Sequence, residues 1–209
     1  MIGESREWLP AYLILVLLGL LELYLSAPAQ ANFVAVLARQ SAGGASASDV
    51  AQAVTRTFEL MAIWTFAGPF VLWSFVGALL TAVAITARGA MGSRAPGFST
   101  FFALCINCAL PAEIGQLAFY GATRLHNPAT FRSPNDFYTV LPFSLAVLRP
   151  HGSVPEIAFL SYWGIFTLWS LILLGCGYAT IAKIQLVPAL LLVLGVGLSL
   201  ALTQVAGAQ

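Results

Sequence analysis

Residues 157–205 read IAFLSYWGIFTLWSLILLGCGYATIAKIQLVPALLLVLGVGLSLALTQV and carry one charged side chain, Lys183. The apolar stretches on its two sides, at about 157–182 and 186–205, are each long enough to cross a hydrocarbon core of about 30 Å as a helix. Only a tight turn fits between them. We therefore predict two membrane-spanning helices paired as a hairpin. Four glycines are expected to let these helices approach closely: Gly175, Gly177, Gly195 and Gly197.

Three further apolar stretches lie upstream, at about 8–25, 60–86 and 98–120. The whole chain is 59% hydrophobic and 8% charged, against about 25% charged residues in an ordinary soluble domain. This composition excludes a soluble fold and predicts an all-α polytopic bundle of five spans, forming a single domain over residues 1–209. Pro28-Ala29-Gln30-Ala31 after the first stretch imitates a signal-peptide cleavage site, but Glu4 and Glu7 surround Arg6 where a positive excess belongs. We interpret this stretch as the first membrane helix.

Two longer connections, residues 26–59 and 121–156, are predicted to lie outside the membrane. In the first, an Ala/Gly/Ser stretch with helical flanks precedes Asp49, which can cap a helix that leads to span two. In the second, the apolar segment 137–148 is too short to cross and predicts an interfacial or partly re-entrant helix.

Basic residues near the short connections predict the orientation. Arg6, Arg88, Arg94 and Lys183 fall on one side of the predicted bundle. The other side holds five basic residues against these four, but they are spread through the two long connections: Arg39, Arg56, Arg124, Arg132 and Arg149. Density therefore favours a cytoplasmic N-terminus and an external C-terminus.

Several function classes are disfavoured by what the sequence lacks. A formal net charge of +1 without a basic cluster argues against nucleic-acid partners. No nucleophile elbow, zinc-protease, phosphate-loop or dinucleotide motif is present, so we expect neither an enzyme nor a cofactor. The expected partners are membrane lipids and either a partner membrane protein or further copies of this chain.

The order of features over residues 66–200 resembles the Yip1 family, whose bacterial members are small five-span proteins. The resemblance rests on Gly68-Pro69, the basic connection at residues 88–94, Leu110-Pro111, Pro142-Phe143-Ser144-Leu145-Ala146 and the span GIFTLWSLILLGCGY at residues 164–178. It implies a non-catalytic protein of the bacterial cytoplasmic membrane. The acidic-Leu-Tyr-Gly motif of the region through which eukaryotic relatives bind small GTPases is absent, so that partner is not implied.

Two carboxyl groups lie within predicted spans, where an unpaired charge is costly. Glu22 and Glu113 belong to helices that leave the cytoplasm in the same direction, so both are expected at similar depth in the outer third, where they could share a proton or a cation. Asn107 and Gln116 are expected to extend this polar line, with Pro111 opening the helix backbone nearby. The alternative is a structural role, in which each carboxyl reaches water or bonds Arg124, and the amides hold helices together.

Other chemistry-bearing side chains admit simpler interpretations. Cys105 and Cys108 share a helical face, but with Cys176 they behave as small apolar residues and form no metal set. His126 and His151 are expected as loop residues rather than a metal site or pH sensor. An aromatic stripe on the predicted fourth span serves packing, or contacts lipid or a partner: Tyr162, Trp163, Phe166 and Trp169.

Two functions remain open at this stage. The first is a non-catalytic scaffold that organises lipid or a partner membrane protein. The second is a small proton, cation or solute transporter or channel, formed as an oligomer and using the intramembrane carboxyl groups.

Overall fold

The computed structural model describes residues 8–41, 46–89, 96–130, 136, 143–149 and 152–207. Within these residues the chain forms six α-helices and two short 3-10 helices, and its only β-pairing is one isolated bridge. Five helices are long and apolar enough to cross a membrane. The prediction of an all-α membrane protein with five spans is therefore confirmed.

Helix α1 (Trp8–Ser41) is much longer than the predicted span at residues 8–25. Its 34 residues extend over about 51 Å at 1.5 Å per residue, and it continues through Pro28, because a proline removes only one backbone donor. The predicted connection at residues 26–59 is corrected accordingly. Its helical flanks are continuous with the membrane helices, and the link between them is confined to residues 42–46, of which only Ser46 is described.

Helix α2 (Ala47–Gly89) begins at a reciprocal cap. The Ser46 hydroxyl oxygen accepts a hydrogen bond from the Asp49 amide at 3.3 Å, and Asp49 Oδ2 accepts one from the Ser46 amide at 3.1 Å. Asp49 thus caps the helix as predicted, but from inside the first turn, with Ser46 as the N-cap residue. The helix has 43 residues and remains unbroken through Pro69.

The predicted span at residues 157–182 is two helices, α4 (Val154–Tyr162) and α5 (Ile165–Ala182). At the break, the Leu145 amide donates to the Trp163 carbonyl at 3.2 Å, and the Ile165 amide donates to the Phe143 carbonyl at 3.0 Å. These hydrogen bonds to residues 143 and 145 replace the backbone bonds that a continuous helix would make. Gly164 permits the pairing, because a Cβ there would lie 3.1 Å from the Phe143 carbonyl oxygen.

The second long connection is only partly described. Helix α3 (Phe98–Leu125) continues past the predicted end at residue 120, and a 3-10 helix follows at Pro128–Thr130. Of the predicted helix at 137–148, residues 137–142 lie outside the described residues, and Leu145–Leu148 forms a 3-10 helix rather than an α-helix. This part of the prediction is wrong because the chain is extended at Ser144, where it pairs with Gly164.

Helix α3 lies at the centre of the bundle, in contact with α1, α2 and α5. Helix α6 (Leu186–Gly207) packs on α5 and on the short α4. The largest buried cluster joins α2, α3, α5 and α6, and includes Val76, Leu80, Phe101, Leu174, Tyr178 and Val193. These residues pack α2, α5 and α6 around α3, and this packing fixes the position of α3 along α2.

Two of the four glycines have the predicted role in the α5–α6 hairpin. A Cβ at Gly175 would lie 2.5 Å from Leu190 Cδ2, and one at Gly197 would lie 2.8 Å from Leu171 Cδ1. Gly177 instead faces Leu104 of α3, and Gly195 has no neighbour within 4 Å. The prediction is therefore right for Gly175 and Gly197 and wrong for Gly177 and Gly195, which the turn of the helix carries to other faces.

Candidate functional site

A groove between α1, α2 and α3 contains the two carboxyl groups that the sequence singled out. Helices α1 and α3 run in the same direction: Trp8 packs on Phe102 near their beginnings, and Ala29 packs with Phe119 further along. Glu22 and Glu113 lie at the same level between these two contacts, so the packing of α1 on α3 brings them together.

The carboxyl groups of Glu22 and Glu113 lie within hydrogen-bonding reach of each other. Oxygen Oε1 of Glu22 is buried and has no hydrogen-bond partner among the described residues. A carboxylate only accepts hydrogen bonds, so two carboxyl groups can bond each other only when one of them holds a proton. The arrangement is therefore suited to holding one proton, or a cation in its place.

Both carboxyl groups lie near the middle of their apolar helices. Glu22 lies at the middle of the apolar stretch Trp8–Val36, and Glu113 lies near the middle of Phe98–Leu125. The predicted placement of both carboxyl groups in the outer third of the membrane, which took span one to end at residue 25, stays a prediction.

The expected structural partner, Arg124, lies elsewhere. Its guanidinium carbon is 5.8 Å from the centre of the Tyr24 ring, a cation–π contact near the end of α3. Arg124 borders a separate cavity of about 240 Å³, together with Leu25 and Pro28. The alternative in which Arg124 bonds the carboxyl groups is therefore not what the structure shows.

The carboxyl groove has a volume of about 270 Å³ and a mixed lining. Its other polar residues are Ser26, Gln30, Thr65 and Tyr120. Its remaining lining residues are apolar side chains and one glycine: Leu15, Gly19, Leu23, Met61, Trp64 and Pro69. Aromatic, aliphatic and oxygen-bearing groups thus surround the carboxyl pair.

Sequence reasoning did not identify most of these lining residues. Helical spacing was the pattern that could have identified three of them. Ser26 and Gln30 follow Glu22 at intervals of four residues, and Tyr120 follows Glu113 by two helical turns. Thr65 has no such signal, because only packing places α2 beside α1, where a Cβ at Gly19 would lie 2.8 Å from Thr65 Cγ2.

Asn107 and Gln116 do not join the carboxyl pair. Both are exposed, neither lines the groove, and the Asn107 side chain donates to the Ala103 carbonyl of its own helix at 2.8 Å. At about 100° per residue, Asn107 and Gln116 point about 120° and 60° away from Glu113 in opposite senses. The predicted polar line is therefore wrong.

The proline in α3 has a partner that the sequence did not reveal. One residue after Pro111, the Ala112 amide donates to the Ser170 hydroxyl oxygen of α5 at 3.0 Å. Ser170 is buried. The predicted polar pocket at this proline is thus a hydrogen bond between helices rather than a space for a ligand.

A similar bond lies beside the proline of α2. The Tyr12 hydroxyl of α1 donates to the Phe66 carbonyl of α2 at 2.6 Å, three residues before Pro69. This bond ties α1 to α2 at the residue that follows Thr65, which lines the groove.

Thiols and imidazoles contribute no metal centre in the described part of the chain, where no group of three or more metal-ligating side chains occurs. Cys105 and Cys108 are buried, and Cys176 is exposed on α5. The His126 ring contacts the Ala122 carbonyl oxygen through Nδ1 at 2.8 Å, at the end of α3. His151 lies outside the described residues.

The aromatic set does not form one stripe, because the helix breaks within it. Tyr162 ends α4 and packs edge-on against Trp163, with 5.5 Å between the ring centres. Burial raises the pKa of Tyr162 to about 12. Phe166 packs against Phe143, whereas Trp169 is 52% exposed and remains available to lipid or a partner.

Comparison with known proteins identifies no relative of this chain. No family model, no curated protein and no solved structure matches the chain.

Proposed function

We propose that this protein is a small membrane transport protein in which the Glu22–Glu113 pair exchanges a proton for a cation. The observation that carries the proposal is that the two carboxyl groups meet in one groove near the middle of their apolar helices, with Glu22 Oε1 buried and lacking a partner in the described chain. Buried polar groups that serve structure are normally satisfied by hydrogen bonds. A buried oxygen without a partner in the described chain, on a residue that lines a groove, supports a role in binding.

Electrostatics explains why one proton and one cation would compete here. Two unit charges about 4 Å apart repel each other by about 4 kcal/mol at an effective dielectric constant of about 20. Burial within apolar helices adds a further penalty for each charge. The pair therefore holds at least one proton at rest, and a bound cation replaces a proton.

The direct test has two parts. Infrared spectroscopy of the protein in nanodiscs detects the carbonyl band of a protonated carboxylic acid, which we expect at neutral pH and expect to lose in Glu113→Gln and Glu22→Gln. In proteoliposomes with an imposed pH gradient, the same variants should lose cation-dependent proton movement while remaining folded. Glu59→Gln is the matched control, since Glu59 is an exposed carboxyl group of α2 outside the groove. A wild-type spectrum without the acid band would refute the proposal.

A scaffold is the second candidate, favoured by the length of α1 and α2. At about 51 Å and 64 Å, these helices exceed a bilayer core of about 30 Å, so their linked ends offer an extramembrane surface to a partner. Arg56 is exposed on this extension. Arg56→Glu should then reduce co-purification of a partner, whereas Glu113→Gln should not.

Three further proposals follow from the sequence. They are that the protein belongs to the Yip1 family, that it lies in the bacterial cytoplasmic membrane, and that it forms an oligomer.

A further inference from the structure

We propose that the cation taken by the carboxyl groove is a monovalent organic ammonium ion with an apolar or aromatic face. This inference rests on the proposed function and names the class of its substrate. The alternatives are an alkali metal ion and a divalent metal ion, and the lining of the groove separates the three.

Divalent metal ions fit the groove poorly. Calcium takes six to eight oxygen ligands and magnesium takes six in strict geometry. The described residues hold no cluster of three or more His, Cys, Asp or Glu side chains, and the groove itself has two carboxyl groups.

The size of the groove favours a molecule over a bare ion. Its volume of about 270 Å³ is about nine times the volume of a water molecule in the liquid, about 30 Å³. It falls just below the range of about 300–1,000 Å³ for drug-sized ligands. An organic ion of about ten heavy atoms would fill it.

The lining supplies the chemistry that an organic cation needs. Trp64 and Tyr120 offer aromatic rings, which attract ammonium groups through their π faces, and Leu23 and Met61 offer aliphatic surface. A Cβ at Gly68 would lie 3.2 Å from the Trp64 ring, so the absence of a side chain there leaves room for the indole. Trp64 is also 62% exposed, so the groove is open to the membrane beside it.

Charge matching sets the valence. One proton leaves the pair for each cation that binds, so a monovalent cation keeps the net charge of the site unchanged, whereas a divalent cation would change it. Glu22 Oε1, buried and without a partner in the described chain, is the acceptor available to that cation. When the cation binds, the shared proton leaves to solvent, so binding strengthens as the pH rises through the range in which the pair is protonated.

The probe is benzyltrimethylammonium, added to the purified full chain in nanodiscs and weak buffer. We expect saturable binding by calorimetry, release of up to one proton per chain, and quenching of tryptophan fluorescence. Glu22→Gln and Glu113→Gln should each weaken binding at least tenfold, and Trp64→Leu by about tenfold. The matched controls, Glu59→Gln and Trp169→Leu, should bind as the wild type does.

Three results would overturn the inference. The first is equal binding of neopentylbenzene, the neutral carbon isostere, which would mean a merely apolar groove. The second is proton release by sodium, potassium or magnesium but not by the organic ion, which would leave the proposed exchange standing with another substrate. Absence of any binding of the organic ion would reject this substrate class, and the infrared acid band would then decide separately whether the proton-holding pair exists.

Discussion

The hydroxyl group of Tyr178, on α5, donates a hydrogen bond to the backbone carbonyl of Leu80, on α2, at 3.1 Å. Tyr178 is fully buried, and its ring packs on Phe101 of α3 with 5.3 Å between the ring centres. One side chain therefore holds three helices in register. The same three helices, together with α6, form the largest buried cluster, so this register also fixes where α3 presents Glu113.

Tyr178→Phe should lower the free energy of unfolding by about 0.5–1.5 kcal/mol, because it removes one hydrogen bond and keeps the ring. Tyr178→Ala should cost more, about 3–5 kcal/mol, because it also leaves a cavity among three helices. Unfolding in mixed micelles, followed by circular dichroism, measures both. Equal losses in the two variants would show that the ring contributes nothing.

Ser170→Ala should destabilise the protein by about 1–3 kcal/mol, because the Ala112 amide loses its acceptor in a buried setting. The control is Ser199→Ala on α6, where an exposed hydroxyl group bonds only the Gly195 carbonyl of its own helix. That change should stay within about 0.5 kcal/mol. Both are compared by the same unfolding measurement, and equal effects would argue against the bond between α3 and α5.

Gly115→Ala should destabilise by about 1–3 kcal/mol through overpacking. A Cβ at Gly115 would lie 2.7 Å from Cβ of Phe166, an atom that cannot move without its backbone. Gly121→Ala, on the same helix, is the matched control, because nothing lies within 4 Å of the new atom. Gly121→Ala should be neutral or stabilising by up to about 1 kcal/mol. Thermal melting in detergent distinguishes the two, and a stabilised Gly115→Ala variant would contradict the contact between α3 and α5.

Orientation is tested by cysteine labelling, after replacement of the three native thiols. A cysteine at Ser93, in the basic connection before α3, should be shielded from an impermeant thiol reagent added outside cells. A cysteine at Gly207 should be labelled, since three spans separate the two positions. Labelling in the opposite sense would reverse the predicted orientation, and equal labelling would contradict the number of spans between them.

The sequence by itself determined which segments are membrane helices. A stretch such as residues 186–205, without a charged residue, must satisfy its backbone internally, and a helix is the way to do so within one segment. It also identified Glu22 and Glu113, because the cost of a carboxyl group in an apolar helix can be recognised without a neighbour. Even their pairing followed from the shared direction of two helices.

Only the tertiary structure decided what surrounds that pair and where helices end. Asn107 looked close to Glu113 along the chain, but the turn of α3 carries it to an exposed face, with its own backbone as partner. Trp64 and Thr65 line the groove because α2 packs there, where the Tyr12 hydroxyl of α1 bonds the Phe66 carbonyl. The break at Gly164 arises from pairing with Phe143 and Leu145. Local apolar patterning carries no information about such contacts, since they depend on which faces of separate helices meet.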